Sequence, residues 1–162
     1  MAKVIITQDY LHQLFEYREG KLYWKIQRTN KTKAGMLVGS FAEYNTVCLN
    51  QKKIGVHRIV FMMFHGYLPD FIDHIDGNRL NNKIENLRPA TNIQNQQNAK
   101  LSVKNTSGYK NVCWAKSHNK WKISLVINKK FVVIGYTNNL ELAGLIAKEA
   151  RIKHFGEFAR HE

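Results

Sequence analysis

The stretch Phe71-Ile72-Asp73-His74-Ile75-Asp76-Gly77-Asn78-Arg79-Leu80-Asn81-Asn82-Lys83-Ile84-Glu85-Asn86-Leu87-Arg88-Pro89-Ala90-Thr91-Asn92-Ile93-Gln94-Asn95 decides how this chain is read. Asp76-Gly77-Asn78 reads as a tight turn between two short extended pieces. Ile72 and Ile75 would anchor the first piece, and Ile84 and Leu87 the second. Pro89 blocks further pairing, and Thr91 or Asn92 can cap a helix that carries Asn95. A β-hairpin running into a helix sets Asp73 and His74 opposite that helix, so that a carboxylate, an imidazole and an amide oxygen converge. Such a group offers oxygen ligands to a hard divalent cation, with a neutral His beside it. A phosphodiester can be hydrolysed there, with His74 drawing a proton from water and the cation stabilising charge on the leaving oxygen. Taken singly these residues have plainer readings, since an Asp-His pair is often just part of a turn and Asn-rich stretches are often loops. Their joint placement on one frame points to chemistry.

Upstream, His57-Arg58-Ile59-Val60-Phe61-Met62-Met63-Phe64-His65-Gly66 is an apolar run closed by glycine, which predicts a buried helix with His57 and His65 as satisfied core histidines. Further back, Asp9 is placed to cap a helical turn carrying Leu11, Leu14 and Phe15, with Gly20 ending it. Residues 21–26 and 44–49 read as strands, and residues 50–53 as a turn into Ile54-Gly55-Val56. No motif in the first fifty residues attaches to a chemistry.

Downstream, the amide-rich run Thr91 to Asn98 and then Lys104-Asn105-Thr106-Ser107-Gly108 mark a boundary near residue 100. Beyond it, Val112, Trp114, Trp121, Ile123, Leu125, Ile127, Phe131, Val133 and Ile134 suggest three strands. Trp121, Ile123, Leu125 and Ile127 alternate inward, while Lys122 and Ser124 face out. After Asn138 or Asn139 as a cap, Leu142, Ala143, Ile146, Ala147 and Ala150 form an apolar stripe at helical spacing, ended by Gly156. A three-stranded sheet backed by one helix would leave the lysines on its open face.

The whole chain of 162 residues carries 25 Lys+Arg against 12 Asp+Glu, a formal charge of +13. Its 44% apolar content excludes a disordered basic tail and suffices for one medium domain or two to three small modules. Residues 99–162 hold 12 basic and 4 acidic side chains, and between Lys100 and Lys130 there are eight lysines and no acid. Such an excess attracts polyanions, of which nucleic acid is the commonest in a cytoplasm. No stretch approaches the ~18 apolar residues of a membrane span, and the N-terminus reaches Asp9 before a signal-like run forms, so a protein that is cytoplasmic and not secreted is expected. Cys48 and Cys113 lie far apart and allow neither a disulfide framework nor a zinc knuckle; two semi-buried thiols are expected.

The central stretch resembles the HNH (ββα-metal) endonucleases, in particular the small phage and intron-type branch, over about residues 54–98. Asp73-His74, the Asp76-Gly77-Asn78 turn, Asn81-Asn82, Glu85-Asn86-Leu87-Arg88 and Gln94-Asn95 carry the match, and Val56-His57-Arg58 matches the segment that precedes it. The resemblance implies that His74 is the general base, that Asp73 and Asn95 are metal ligands, and that Asn86 braces the hairpin; Asn98 is a second choice for the place of Asn95. It also implies a divalent cation, Mg²⁺ first and Mn²⁺ second, with no structural zinc because no cysteine pairs flank the motif. Residues 105–160 resemble the Apetala-type (ethylene-response-factor-like) DNA-binding domain, through Asn105 to Val112, Trp121, Ile134-Gly135-Tyr136 and Phe155-Gly156. This resemblance implies a sheet lying in the major groove of double-stranded DNA. Its matching positions single out Lys110, Lys120 and Lys122 as DNA-binding, and the strand before Ser117 adds Trp114 and Lys116. Asn111 and Cys113 stand where the family carries Gly and often Arg, so lysines would give affinity more than base choice.

The expected organisation is α+β. Residues 1–53 pack on the nuclease core, 54–98 form the ββα-metal motif, 99–107 a linker, and 108–160 the DNA-binding sheet and helix. The expected activity is a homing or free-standing phage endonuclease that hydrolyses phosphodiester bonds in a bacterial host, as a monomer or weak dimer. The rivals are a non-catalytic DNA-binding regulator on a degenerate nuclease scaffold and an RNA-directed binder or nuclease.

Overall fold

Leu11 and Leu14 share one helical face, and with Phe15, which follows the helix, they enter the core of the first of two compact units, Met1–Asn92 and Ile93–Glu162. The computed structural model describes residues 6–41 and 44–160. Among the described residues no helix is long and apolar enough to cross a membrane. Small antiparallel sheets and separate helices make both units α+β.

In the first unit, α1 (Gln8–Leu14) is capped by Thr7, whose hydroxyl accepts from the Tyr10 amide at 3.2 Å. Asp9, expected as the cap, sits in the first turn, where a negative charge suits the helix dipole. Gly20 does not end this helix. Instead it turns β1 (Phe15–Arg18) back into β2 (Lys21–Trp24), with Glu19 and Gly20 both at positive φ. A second sheet follows, of β3 (Ser40–Phe41), β4 (Asn45–Leu49) and β5 (Lys52–Gly55), all antiparallel. The predicted buried helix is α2 (Val56–His65), closed by Gly66 in the left-handed conformation. It buries Val56, Ile59, Val60, Phe61 and Met63 in one core with Leu11, Phe15, Leu22 and Leu49.

The decisive stretch forms β6 (Phe71–His74) and β7 (Leu87–Ala90), paired antiparallel with Asp73 opposite Arg88 and His74 opposite Leu87. Ile72 and Leu87 reach the core as expected and so tie both strands to it. Ile75 does not: it lies just past β6, 47% exposed, and its amide donates to the Asn86 carbonyl at 2.9 Å. The connection is longer than the tight turn expected at Asp76-Gly77-Asn78; it runs over residues 75–86 and ends in a single 3₁₀ turn, Ile84–Asn86.

Helix α3 (Asn92–Gln97) begins at the unit boundary, which lies between Asn92 and Ile93 and not near residue 100. Residues 97–99 belong to the second unit because its cations hold them. Lys110 Nζ donates to the carbonyls of Gln97 and Ala99, and Arg160 to that of Asn98. The expected sheet is present as β8 (Val112–Ala115), β9 (Lys120–Ile127) and β10 (Lys130–Thr137), in the order β10-β9-β8. Helix α4 (Leu140–Phe155) starts at Asn139, whose side chain accepts from the Leu142 amide at 2.9 Å. Ala143, Ala147 and Ala150 pack on Val112, Ile123 and Leu125, whereas Leu142, expected in the stripe, is exposed. Cys48 and Cys113 are exposed, because each shares its strand with neighbours that alternate into the core.

Candidate active site

Asp73 and His74 are the last two residues of β6, and each is only 5% exposed. Successive strand residues leave on opposite faces, so two buried polar neighbours require two separate sets of partners. For Asp73 the partner comes across the hairpin: Arg88 donates from Nε at 2.9 Å and from Nη2 at 2.8 Å, both to Oδ2. For His74 it comes from the long connection, where Asn82 Oδ1 lies 3.0 Å from Nε2. The Asn82 oxygen only accepts, so Nε2 of His74 is the donor in this bond.

The connection is held by its own amides and one carboxylate. Asn86 Oδ1 accepts from the Asp76 amide at 3.0 Å, and Asn86 Nδ2 donates to Asp76 Oδ1 at 2.9 Å and to the Asn81 carbonyl at 2.8 Å. Asp76 also accepts from Asn81 Nδ2 and from the Asn78 amide, each at 2.7 Å. Burial disfavours the ionised carboxyl of Asp76. The hydrogen bonds from Asn81, Asn78 and Asn86 and the nearby His74 outweigh that, and its pKa lies below the usual value.

His57, at the start of α2, meets His74 edge-on with ring centroids 5.3 Å apart. Burial first, then the neighbouring His74 and Arg58, lower its pKa to about 4, so His57 is a neutral imidazole at neutral pH. Tyr44 lies 5.7 Å from His57, and the Arg79 guanidinium stands 4.7 Å above the Tyr44 ring. A line of rings thus leads from the exposed Arg79 down to His74, with the Arg79 guanidinium at its outer end.

Asp73 and His74 end β6 in the first unit, and Asn86 holds the connection that follows them. Asn95 lies on α3 within the second unit, and Asn98 follows that helix with its carbonyl accepting from Arg160. Asn82 and Arg88 lie in runs that carried the resemblance but were given no role from the sequence, and Arg79 and Tyr44 were given none either. The pairing of Arg88 with Asp73 depends on strand register, and that of Asn82 with His74 on the course of a loop, so neither leaves a local signal.

The DNA-contact candidates separate by face. Register puts Lys120 and Lys122 on the open side of the sheet, with Tyr136 opposite Lys122. Lys116 is exposed in the turn after β8. Trp114 lies elsewhere: it pairs with Trp121 on the helix side, ring centroids 5.0 Å apart, because it alternates with Cys113. Lys110 is turned inward to its backbone carbonyls, and burial, with Arg151 and Arg160 nearby, lowers its pKa to about 8. His118 stacks on Tyr136 with centroids 4.3 Å apart.

Among the described residues there is no cluster of three or more His, Cys, Asp or Glu side chains able to hold a metal. A cation such as Mg²⁺ keeps several waters and takes one or two carboxylates plus substrate phosphate, and Asp73 is a buried carboxyl side chain held at one oxygen by Arg88.

Residues 55–97, which contain the hairpin and its connection, match the family model described as HNH endonuclease. The chain is 36% identical over 106 residues to protein 3.8 of Escherichia phage T7, an alignment that covers 64% of this chain and 87% of that protein. It is also 36% identical over 110 residues to an uncharacterized HNH endonuclease of Acanthamoeba polyphaga mimivirus, covering 66% of this chain and 56% of the viral protein. The chain thus spans little more than half the length of that second relative. No solved structure gives a significant match. With a phage relative matched over most of its length and the Asp-His hairpin inside the matched segment, the chain belongs to the HNH endonuclease family.

Proposed function

We propose that the protein is a divalent-cation-dependent DNA endonuclease of the phage homing or free-standing type, built on a ββα-metal core in which β6, β7 and α3 are the recurring elements. The observation that supports this most is His74, a buried imidazole held at Nε2 by Asn82, next to a carboxylate on the same strand. In this reading His74 takes a proton from a water molecule as that water attacks the phosphorus, and the bond from phosphorus to the leaving oxygen breaks. Asp73 and, by the family resemblance, Asn95 would hold a divalent cation, Mg²⁺ or Mn²⁺, which when bound would stabilise the charge on the leaving oxygen. Asn86 keeps the connection closed, so that Asn82 remains opposite His74.

The basic sheet of the second unit holds the duplex through Lys120 and Lys122 on its open face and Lys116 at its edge. Phosphate contacts of this kind give affinity with little sequence choice. Lys110 and Trp114 contribute through the architecture of the unit. One such centre cuts one strand, so a monomer nicks and a double-strand break needs two copies or two events.

The test is relaxation of supercoiled plasmid by the full chain in Mg²⁺, in Mn²⁺ and in EDTA. Nicked circles in either metal and none in EDTA are expected. Salt-sensitive binding with no cleavage of plasmid or of phage and host genomic DNA would instead mean a DNA-binding regulator.

A further inference from the structure

The hairpin of β1 and β2 belongs to the part of the chain where the sequence offered no chemistry, yet its turn is seated on the loop that supplies Asn82. A Cβ on Gly20 would lie 2.7 Å from the Lys83 backbone nitrogen and 3.0 Å from the Asn82 carbonyl carbon. Gly20 has φ +81°, so two constraints, conformation and space, exclude a side chain there. On the neighbouring strand, the Tyr17 hydroxyl accepts from the Ile84 amide at 3.1 Å. The hairpin therefore fixes the backbone on both sides of Lys83, in a connection that is otherwise held from its exposed side by Asp76, Asn81 and Asn86. Asn82, 2% exposed, is the residue whose side chain this seating aims at His74.

We propose that Asn82 is a positioning residue for His74 and that the β1–β2 hairpin is the buttress that sets it. The inference rests on His74 being the general base. An amide oxygen on Nε2 selects one tautomer and one ring plane, which a residue acting only through its volume would not do. The N-terminal hairpin is then a working part of the nuclease centre, and its turn must be glycine for that reason.

The experiment uses the full chain with Asn82→Leu (similar volume, no acceptor), Asn82→Asp (acceptor kept), Gly20→Ala and Tyr17→Phe. Three quantities are read: the single-turnover cleavage constant, duplex Kd, and the His74 tautomer by long-range ¹H–¹⁵N NMR in EDTA. Asn82→Leu is expected to lower the cleavage constant about 100-fold, the scale for misplacing a reacting group. Its Kd should stay within about twofold, since Asn82 touches the imidazole and not the substrate. The Nε2–H signature of His74 is expected to give way to a tautomer mixture in Asn82→Leu and to persist in Asn82→Asp. Gly20→Ala and Tyr17→Phe are expected to shift the same signature with smaller losses of rate, and they carry the test if Asn82→Leu does not fold. An unchanged tautomer in Asn82→Leu, or in both hairpin variants, would overturn the proposal. Undiminished cleavage by His74→Ala would overturn the general-base reading instead, and the tautomer would still decide whether Asn82 sets the ring.

Discussion

Arg88 reaches Asp73 across the hairpin through two hydrogen bonds to one oxygen, in a place where both side chains are nearly closed to solvent. Removing the guanidinium leaves a buried carboxylate without its cation. Arg88→Ala is expected to cost about 3 kcal/mol, on the scale of breaking a buried pair from one side, seen as a lower urea midpoint with an unchanged slope. His57 sets an acid limit. Its pKa falls from 6.5 to about 4 on folding, so the unfolded chain binds the extra proton. Its contribution is complete above about pH 6.5 and is lost as pH falls towards about 4, to the extent of about 2–3 kcal/mol. Asp76, whose pKa is also lowered, adds a loss of the same sign that begins only near its usual value of 3.8. Urea unfolding from pH 7.5 to 4.5 should show the decline, and His57→Phe should flatten it; an equal decline in that variant would remove His57 as its cause.

The elements divide into those that local rules fix and those that only the fold fixes. Helix α2, the β8–β10 sheet and α4 were legible because apolar spacing, Gly66, Asn139 and Gly156 mark their faces and ends. Where the reading slipped, competing local signals were close together. Asp9 and Thr7 are both good caps and Thr7 takes the role, while Gly20 looked like a helix stop and is a hairpin turn. At the site, Asp73 and His74 were singled out by residue type and placement, and Asn86 by the resemblance. Asn82 and Arg88 were given no role, because their partners are set by loop course and strand register. Two predictions belong to elements. Asn139→Ala removes the acceptor for the Leu142 amide and should lower stability by about 1 kcal/mol in denaturant unfolding. Gly144→Val should destabilise the second unit more, because a Cβ there would lie 2.4 Å from the Tyr109 ring.

For the whole molecule, a charge of +13 with eight lysines and no acid between Lys100 and Lys130 governs the proposed binding to DNA. Each phosphate neutralised on duplex contributes roughly −0.9 to the slope of log K against log salt. The double variant Lys120→Gln, Lys122→Gln should therefore flatten that slope by roughly 2, and an unchanged slope would move the interface off the open face of the sheet. Binding and chemistry are carried by different residues in this account, which makes them separable. The most direct test is to measure single-turnover nicking and duplex Kd for the native chain and for His74→Ala in the same Mg²⁺ buffer. The account predicts that nicking is abolished while Kd stays within about twofold, as expected when a general base is removed and the phosphate contacts are kept. Nicking at the native rate in His74→Ala, or collapse of binding together with nicking, would contradict it.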